Sequence, residues 1–315
     1  MRRTSRHRRD HPRQQILVEP YQKYVLRQRP GTVSSVLMKY WGAIGDFFYF
    51  LTFANHVLEK HADRRRILAA DIYLRYHGNP LLELCQANGL IDELWLHKRA
   101  GAGPFTLPPE FYHQAHFPNE NHILYRPGIY YDTLTGPGVV EYPVEHMRAC
   151  TRERRFLVTI QPESLFRKNF TFLPREYITL QPRTTGKLRR NVVPQRLMRA
   201  LDDLGIPVVV LKFPNDEVDD VVGSSKIVQV HDVYDPVTAL WIQRYAKFHV
   251  GVESSQLLGA TIHGVHAFYY PYRSISKFIE DLNIASLCHE IPWQAPPDKI
   301  LRKFKEVLDE PIPRT

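Results

Sequence analysis

The sequence predicts an α/β protein of two Rossmann-like lobes, whose parallel sheets face a central cleft. Strand and helix patterns alternate through residues 33–96 and again through 177–308. The length of 315 residues fits two domains of about 100–200 residues each. A hydrophobic content of 43% is enough to form two buried cores. Because open parallel sheets bind ligands beyond the carboxyl ends of their strands, the loops at those ends are the candidate site.

Each element of the first half is predicted from apolar spacing and turn residues. A glycine-bearing turn at 41–46 separates the first strand from the first helix, and residues 101–145, rich in Pro, Gly, Tyr and His, are predicted as long loops. The predicted strands are 33–39, 66–70, 93–96 and 156–160, and the predicted helices are 47–61 and 81–87.

The second half repeats the alternation after a polar linker at 161–175. We therefore expect three parts: a basic arm at 1–15, an N-terminal lobe at 16–165 that takes the acceptor, and a C-terminal lobe at 166–315 that takes the donor. The predicted strands are 177–180, 207–211, 227–230, 248–252 and 267–270, and the predicted helices are 193–204, 236–246, 254–262 and 298–308.

The charge is concentrated at the N-terminus. The net charge is +9, and residues 1–13 hold six Arg and one Asp. Such an arm attracts nucleic acid, an anionic membrane surface or an acidic glycan, and the alternative is a solvated tail. The arginine-rich start predicts that the chain has no secretory signal, and the sequence has no apolar run of about 18 residues. Its three Cys are scattered, which favours a reducing compartment. These observations predict a cytoplasmic protein, and peripheral contact at the inner membrane face is an alternative.

The first candidate loop contains Gly42, Gly45 and Asp46. The glycines allow a tight turn and close approach of the backbone to a ligand. Asp46, at the start of a helix, can accept a proton from a hydroxyl or hydrogen-bond to it. The alternative is that Asp46 only caps the helix.

The second candidate loop follows the first strand of the second half and is rich in cations. Hydroxyl and cationic side chains together suit an anion such as a diphosphate. The alternative is a solvated loop. The residues concerned are Thr184, Thr185, Lys187, Arg189 and Arg190.

The third candidate loop runs from a strand into a helix and carries Glu253, Ser254, Ser255 and Gln256. Serines at a helix start direct hydroxyls and backbone amides towards an anion, and Glu253 can bind sugar hydroxyls. An ordinary serine N-cap is the alternative. The markers of P-loop, dinucleotide-binding, zincin and hydrolase-elbow sites are absent, and the 15 histidines show no metal-ligand spacing.

Taken in order, these loops resemble those of the GT-B glycosyltransferases, specifically the ADP-heptose:lipopolysaccharide heptosyltransferase family. The resemblance extends over residues 33 to about 272. Glu253 stands where the family has Asp, Ser255 where it has Gly and Leu258 where it has His. The matching segments are Gly42-Ala-Ile-Gly-Asp46, Asn79-Pro80, Ile91-Asp-Glu93, Thr184-Thr185 and Glu253-Ser254-Ser255.

The resemblance implies a hexosyl- or heptosyl-transferase type of enzyme that inverts the sugar. Asp46 would act as general base on the acceptor hydroxyl, with Gly42 and Gly45 beside it. The second and third loops would hold a nucleotide-diphosphate sugar as substrate, with neither a metal nor a cofactor. The donor sugar and base remain open, and the acceptor would be a glycan, free or lipid-linked.

Other functions remain as alternatives. One is a noncatalytic nucleic-acid-binding protein that uses the basic arm. Another is a GT-B-like transferase of a different group, such as pyruvyl. DNA is also an alternative acceptor for the sugar.

Overall fold

The computed structural model of the protein describes residues 21–30, 35–42, 44–72, 80–97, 122–127, 139–142, 157–183, 192–212, 228–232, 235–271, 279 and 284–309. None of the helices in these ranges is both long and apolar enough to cross a membrane. The strands are β1 (Tyr21–Val25), β2 (Ser35–Gly42), β3 (Arg65–Ile72), β4 (Glu93–His97), β5 (His122–Pro127), β6 (Val139–Tyr142), β7 (Ile178–Gln181), β8 (Val208–Lys212), β9 (Val228–Asp232), β10 (His249–Val252), β11 (Ala267–Tyr270) and β12 (Cys288–Glu290). The helices are α1 (Ile44–Lys60), α2 (Pro80–Asn88), α3 (Glu163–Asn169), α4 (Gln195–Leu204), α5 (Pro236–Arg244), α6 (Ser255–Ile262) and α7 (Pro297–Asp309).

The strands form two six-stranded sheets. The first has the order β1-β4-β3-β2-β5-β6, and the second has the order β12-β11-β10-β7-β8-β9. Within the described strands, each pairing is parallel except β1 with β4, which is antiparallel and pairs Tyr21 with His97. The strand and helix alternation predicted from the sequence is therefore confirmed, and both sheets are doubly wound.

Several local predictions were wrong. Helix α1 begins at Ile44, so Gly45 and Asp46 belong to its first turn and not to a preceding turn. Strands β5 and β6 lie inside 101–145, which was predicted as loops, because these short strands stand between Pro- and Gly-rich runs. The edge strand β1 was missed because it pairs on one side only and lacks an apolar run. The three-residue β12 was missed as well.

The predicted strand at 156–160 was also wrong. Residues 157–161 run between helices and form no strand, and we refer to them as the strap. Thr159 N–H donates to the carbonyl of Ala87 (2.9 Å), and Trp241 Nε1 donates to the carbonyl of Thr159 (3.1 Å). Leu157 N–H donates to His263 Nε2 (3.3 Å). Leu157 and Val158 are buried in the cluster to which helices of both halves contribute, which explains why the segment resembled a strand.

The segment predicted as a linker contains helix α3, and Phe166 of that helix is buried. Phe166 packs in a cluster with Tyr177 and Val209 of the second half. The division into an arm and two lobes stays a prediction.

Two large apolar clusters organise the fold. One covers a face of the second sheet and is closed by α4 and α7, with Leu197 and Phe304 at its centre. The other joins the two halves: α1 and α2 contribute Phe48 and Leu84, and α5 and α6 contribute Leu240 and Leu258. The two sheets thus share a continuous core through their helices.

A buried ionic cluster fixes the start of β4 to β3. The Asp92 carboxylate accepts from Arg66 N (2.8 Å), Arg66 Nη2 (3.1 Å) and Arg29 Nε (2.9 Å). Both Asp92 and Arg66 are buried. Burial alone would raise the pKa of Asp92, but the hydrogen bonds from Arg66 and Arg29 outweigh it and hold that pKa below its usual range.

We predict that Asp92→Asn lowers the free energy of unfolding by roughly 3–5 kcal/mol, because Arg66 would keep its buried charge without a carboxylate. Urea unfolding monitored by circular dichroism measures the change. Glu163→Gln is the control, since Glu163 pairs with Arg167 on the surface and such pairs contribute about 1 kcal/mol or less. Equal losses in both variants would contradict the prediction.

The same carboxylate gives the stability a predicted pH dependence. Because the folded pKa of Asp92 is lowered, its contribution is complete above the unfolded value of about 3.9 and disappears as the pH falls through the folded value. The difference in stability between wild type and Asp92→Asn should therefore be constant near neutral pH and shrink below about pH 4. Unfolding curves from pH 7 to pH 3 test this, and a difference that grows in acid would contradict it.

Candidate functional site

Each sheet has one point where the strand order reverses. In the first sheet the chain runs from β2 through β3 to β4 on one side and places β5 and β6 on the other. In the second sheet β8 and β9 lie on one side of β7, and β10 to β12 lie on the other. Ligands of doubly wound sheets bind at such points, beyond the carboxyl ends of the strands. The site is therefore expected after β2 and between β7 and β10.

The first candidate loop lies at the first of these points. Gly42 is the last residue of β2, and Gly45 and Asp46 lie in the first turn of α1. As the third residue of the helix, Asp46 adds a negative charge to an end that carries about half a positive charge. The backbone thus brings an acidic residue to the carboxyl edge of the first sheet.

The third candidate loop lies at the second point. Ser254 is the N-cap residue of α6, but its hydroxyl makes no capping hydrogen bond. It donates instead to Oε1 of Gln181, the last residue of β7. The alternative interpretation of Ser254 as an ordinary N-cap is therefore wrong. Its hydroxyl instead connects the ends of β7 and β10 at the reversal point, and the first-turn amides of α6 receive no hydrogen bond from it.

Close approach of the backbones supports this arrangement. Gly251 pairs with Gln181 in the parallel ladder of β7 and β10. A Cβ on Gly251 would lie 2.8 Å from the carbonyl oxygen of Gln181, closer than real contacts allow. A larger residue would push β10 away from β7 and move the loop that begins after it.

Glu253 is buried beside Tyr269 at this edge. Burial, together with the acidic groups of Glu290, Cys288 and Glu253, raises the pKa of Tyr269 to about 12. Ser255 is half-buried in the first turn of α6, and Gln256 is buried. The four residues predicted in this loop are thus brought together on one turn.

The helices that follow the two loops pack against each other. Phe48 of α1 approaches Gly259 of α6: a Cβ on Gly259 would lie 3.3 Å from Phe48 Cε2 and 2.6 Å from Leu240 Cδ2. Asp46 precedes Phe48 by about 3 Å of helix rise, and Ser254 precedes Gly259 by about 7.5 Å. Both candidate loops therefore lie within about two helical turns of one contact.

The second candidate loop falls outside the described residues: Thr184, Thr185, Lys187, Arg189 and Arg190 have no structural account. Its flanks are described. An isolated antiparallel bridge joins Arg183 to Val192, and the N–H of Val193 donates to the carbonyl of Pro182 (2.9 Å). These contacts close the base of the loop next to Gln181 and the second reversal point.

Sequence reasoning missed the polar residues behind the site. Gln181 stood at the start of the basic loop in the sequence, but its contact with Ser254 could be seen only once β7 and β10 were paired. Gln243 and His249 gave no signal: Gln243 is one of three polar residues in α5, with Thr238 and Arg244, and His249 is a single polar residue in the apolar strand β10. Within the described ranges, no group of three or more His, Cys, Asp or Glu is arranged to hold a metal ion.

Comparison with known proteins gives structural matches only. No protein-family model matches the sequence, and no curated protein matches it. Glycosyl transferase family 9 from Veillonella parvula has a TM-score of 0.57 at 11% identity, with 90% of this chain and 99% of that chain covered. ADP-heptose lps heptosyltransferase II of E. coli has a TM-score of 0.58 at 15% identity, with 87% and 98% covered. The E. coli heptosyltransferase WaaC with ADP-2-deoxy-2-fluoro heptose has a TM-score of 0.55 at 14% identity, with 86% and 99% covered.

These matches cover almost the whole of each known chain and confirm the predicted fold. The protein has the GT-B arrangement of two doubly wound sheets, and in fold it is similar to the heptosyltransferases that the sequence resembled. Identities of 11–15% establish the fold alone.

We predict that Gly259→Ala destabilises the protein by roughly 1–3 kcal/mol although Ala favours helices, because its methyl group would overlap Leu240 and press on Phe48. Adding Leu240→Ala should relieve the overlap, so the double variant should lose less than the sum of the two single losses. Chemical unfolding of the three variants measures this coupling. Additive losses would contradict the overlap with Leu240, and unchanged stability in Gly259→Ala would show that α6 does not need a glycine here.

Proposed function

We propose that the protein is an inverting glycosyltransferase that moves a sugar from a nucleoside-diphosphate donor to an acceptor hydroxyl. The observation that supports the proposal is the contact of α1 with α6, because α1 carries Asp46 in its first turn and α6 begins after Ser254. The fold supports it, since the solved structures that share this fold include proteins named as glycosyl transferase and heptosyltransferase.

The donor diphosphate would bind at the N-terminal end of α6. The helix dipole and the first-turn amides favour an anion there, and the contact with Gln181 keeps the Ser254 hydroxyl at that end. Lys187, Arg189 and Arg190 would supply positive charge, with Thr184 and Thr185 as hydroxyl donors. In this role the cations would stabilise the leaving diphosphate without a metal. Glu253, Ser255 and Gln256 would contact the donor.

Asp46 would act as the general base. Its carboxylate would take the proton from the acceptor hydroxyl while that oxygen attacks the anomeric carbon from the face opposite the diphosphate. A new carbon–oxygen bond forms, the bond to the phosphate oxygen breaks, and its electron pair leaves with the diphosphate. One displacement of this kind inverts the anomeric carbon. Gly42 and Gly45 would let the acceptor approach the backbone beside the base.

We further propose a glycan acceptor, free or lipid-linked, in the cytoplasm. The arginines at residues 1–13 would attract an anionic acceptor or a membrane surface. The same attraction would suit DNA as acceptor. Salt dependence of acceptor binding, with and without residues 1–13, would measure the contribution of the arm.

The donor class is tested by thermal unfolding with UDP, GDP, ADP, CDP and dTDP. A diphosphate present at 100 times its Kd should stabilise the folded protein by about 2.7 kcal/mol and raise the Tm. One of the five nucleoside diphosphates should raise the Tm more than the others, and its nucleobase identifies the nucleobase of the donor. If no diphosphate shifts the Tm and none of the matching nucleotide sugars is hydrolysed, the proposal is wrong.

The role of Asp46 as general base is tested by the variant Asp46→Asn. We predict that turnover falls by about 100- to 10,000-fold while the Tm shift with the diphosphate is retained, because the amide cannot accept the proton. Asp63→Asn is the matched control: Asp63 is exposed just after α1, so turnover should stay unchanged. Full activity in Asp46→Asn would remove Asp46 from the mechanism.

A further inference from the structure

Four buried polar side chains lie behind the loop that joins β10 to α6. Thr179 and His249 are fully buried, and Gln243 and Gln256 are 1% and 3% exposed. They come from β7, β10, α5 and α6, respectively. We refer to them as the polar cluster.

Hydrogen bonds connect the polar cluster to the first turn of α6. Gln243 Nε2 donates to the carbonyl oxygen of Gln256 (3.1 Å) and approaches its Oε1 (3.4 Å). The same nitrogen lies 3.5 Å from Nδ1 of His249, which lies 3.1 Å from Oγ1 of Thr179. Gln243 therefore links the second residue of α6 to the sheet beneath it.

The cluster also touches the loop through His249. A Cβ on Gly251 would lie 3.3 Å from His249 Nε2, so the ring fills the space that the glycine leaves open. Burial lowers the pKa of His249 to about 3, and the ring is therefore neutral near neutral pH. A neutral imidazole has one N–H and one acceptor nitrogen, which limits the geometry of its bonds to Thr179 and Gln243.

The polar cluster is not fully satisfied. Within the described part of the chain, His249 Nε2, Gln243 Oε1 and Gln256 Nε2 are buried without hydrogen-bond partners. An apolar core of the same volume would avoid the cost of such atoms. What the polar groups provide instead is direction, because each hydrogen bond fixes the angle as well as the distance of its partner.

We propose that Gln243 and His249 are positioning residues for the nucleotide donor, which hold the first turn of α6 through Gln256 and thereby set the loop that carries Glu253, Ser254 and Ser255. The proposal rests on the proposed function for its ligand. Neither side chain would touch the donor. Their effect would pass through the backbone and side chain of Gln256.

Three variants separate the contacts. Gln243→Leu keeps the volume and removes the link to Gln256. His249→Asn keeps a polar atom at the position of Nδ1 and removes Nε2, whereas His249→Gln keeps one at the position of Nε2 and removes Nδ1. Thr261→Val is the control, since Thr261 is a buried polar residue of the same helix whose hydroxyl donates to the carbonyls of Leu257 and Leu258 and which is not a member of the polar cluster.

The full chain is first examined by hydrogen exchange without ligand. We expect the amides of residues 258–260, which are hydrogen-bonded within α6, to exchange about tenfold or more faster in Gln243→Leu and His249→Gln, with His249→Asn close to wild type. Thr261→Val should not follow this pattern. Unchanged exchange in Gln243→Leu, or equal acceleration in Thr261→Val, would overturn the proposal whether or not the protein binds nucleotides.

Binding and turnover then test the consequence for the donor. Affinity for whichever of UDP, GDP, ADP, CDP and dTDP binds wild type should fall about tenfold in Gln243→Leu and His249→Gln. The same variants should raise the KM for the matching nucleotide sugar and leave kcat at saturation nearly unchanged, since the general base is untouched. Wild-type affinity in both variants would overturn the proposal, while wild-type protein that binds none of the five would overturn the proposed function alone.

Discussion

The close approach of α1 to α6 at Gly259 sets the geometry on which the site depends. The absence of a side chain at Gly259 lets Phe48 and Leu240 reach the backbone of α6. Asp46 and Ser254 sit at the starts of these two helices, so a change in helix spacing would move the proposed base relative to the proposed diphosphate site. Packed interiors resist such changes because even one added methylene group strains the surrounding side chains. The spacing of α1 and α6 is therefore set mainly by side-chain packing at Gly259 and less by polar contacts.

The strap at 157–161 adds hydrogen bonds between the two halves to that packing. It bonds to Ala87 and Asn88 in the first half and to Trp241 and His263 in the second. Burial, and then the nearby Arg244, lowers the pKa of His263 to about 3, so its ring stays neutral and can accept the Leu157 N–H near neutral pH. Separating the halves here would expose apolar surface at about 25 cal/mol per Å² and break these bonds.

Much of this fold could be predicted from sequence, because local signals and burial agreed. The end of α4 is an example: Gly205 adopts a φ of +73° as its C-cap, where glycine is favoured. The failures have equally specific causes. Leu157 and Val158 are buried and imitate the start of a strand, and β1 is an edge strand without an apolar run. At the site, strand ends and glycines indicated Asp46 and Ser254, but the partners Gln181, Gln243 and His249 emerge only from pairing of distant elements.

Two of the buried polar clusters in the described residues differ in how completely their atoms are hydrogen-bonded. Asp92 receives donors from Arg66 and Arg29 on both carboxylate oxygens, and its cluster lies at the start of β4, away from the reversal points. The polar cluster behind α6 keeps three buried atoms without partners and lies directly at a reversal point. Buried polar groups that serve stability alone are expected to be satisfied, since each orphan costs about 1–3 kcal/mol. A cluster that tolerates this cost beside the candidate site is better explained by the orientation it imposes on Gln256 than by the stability it adds.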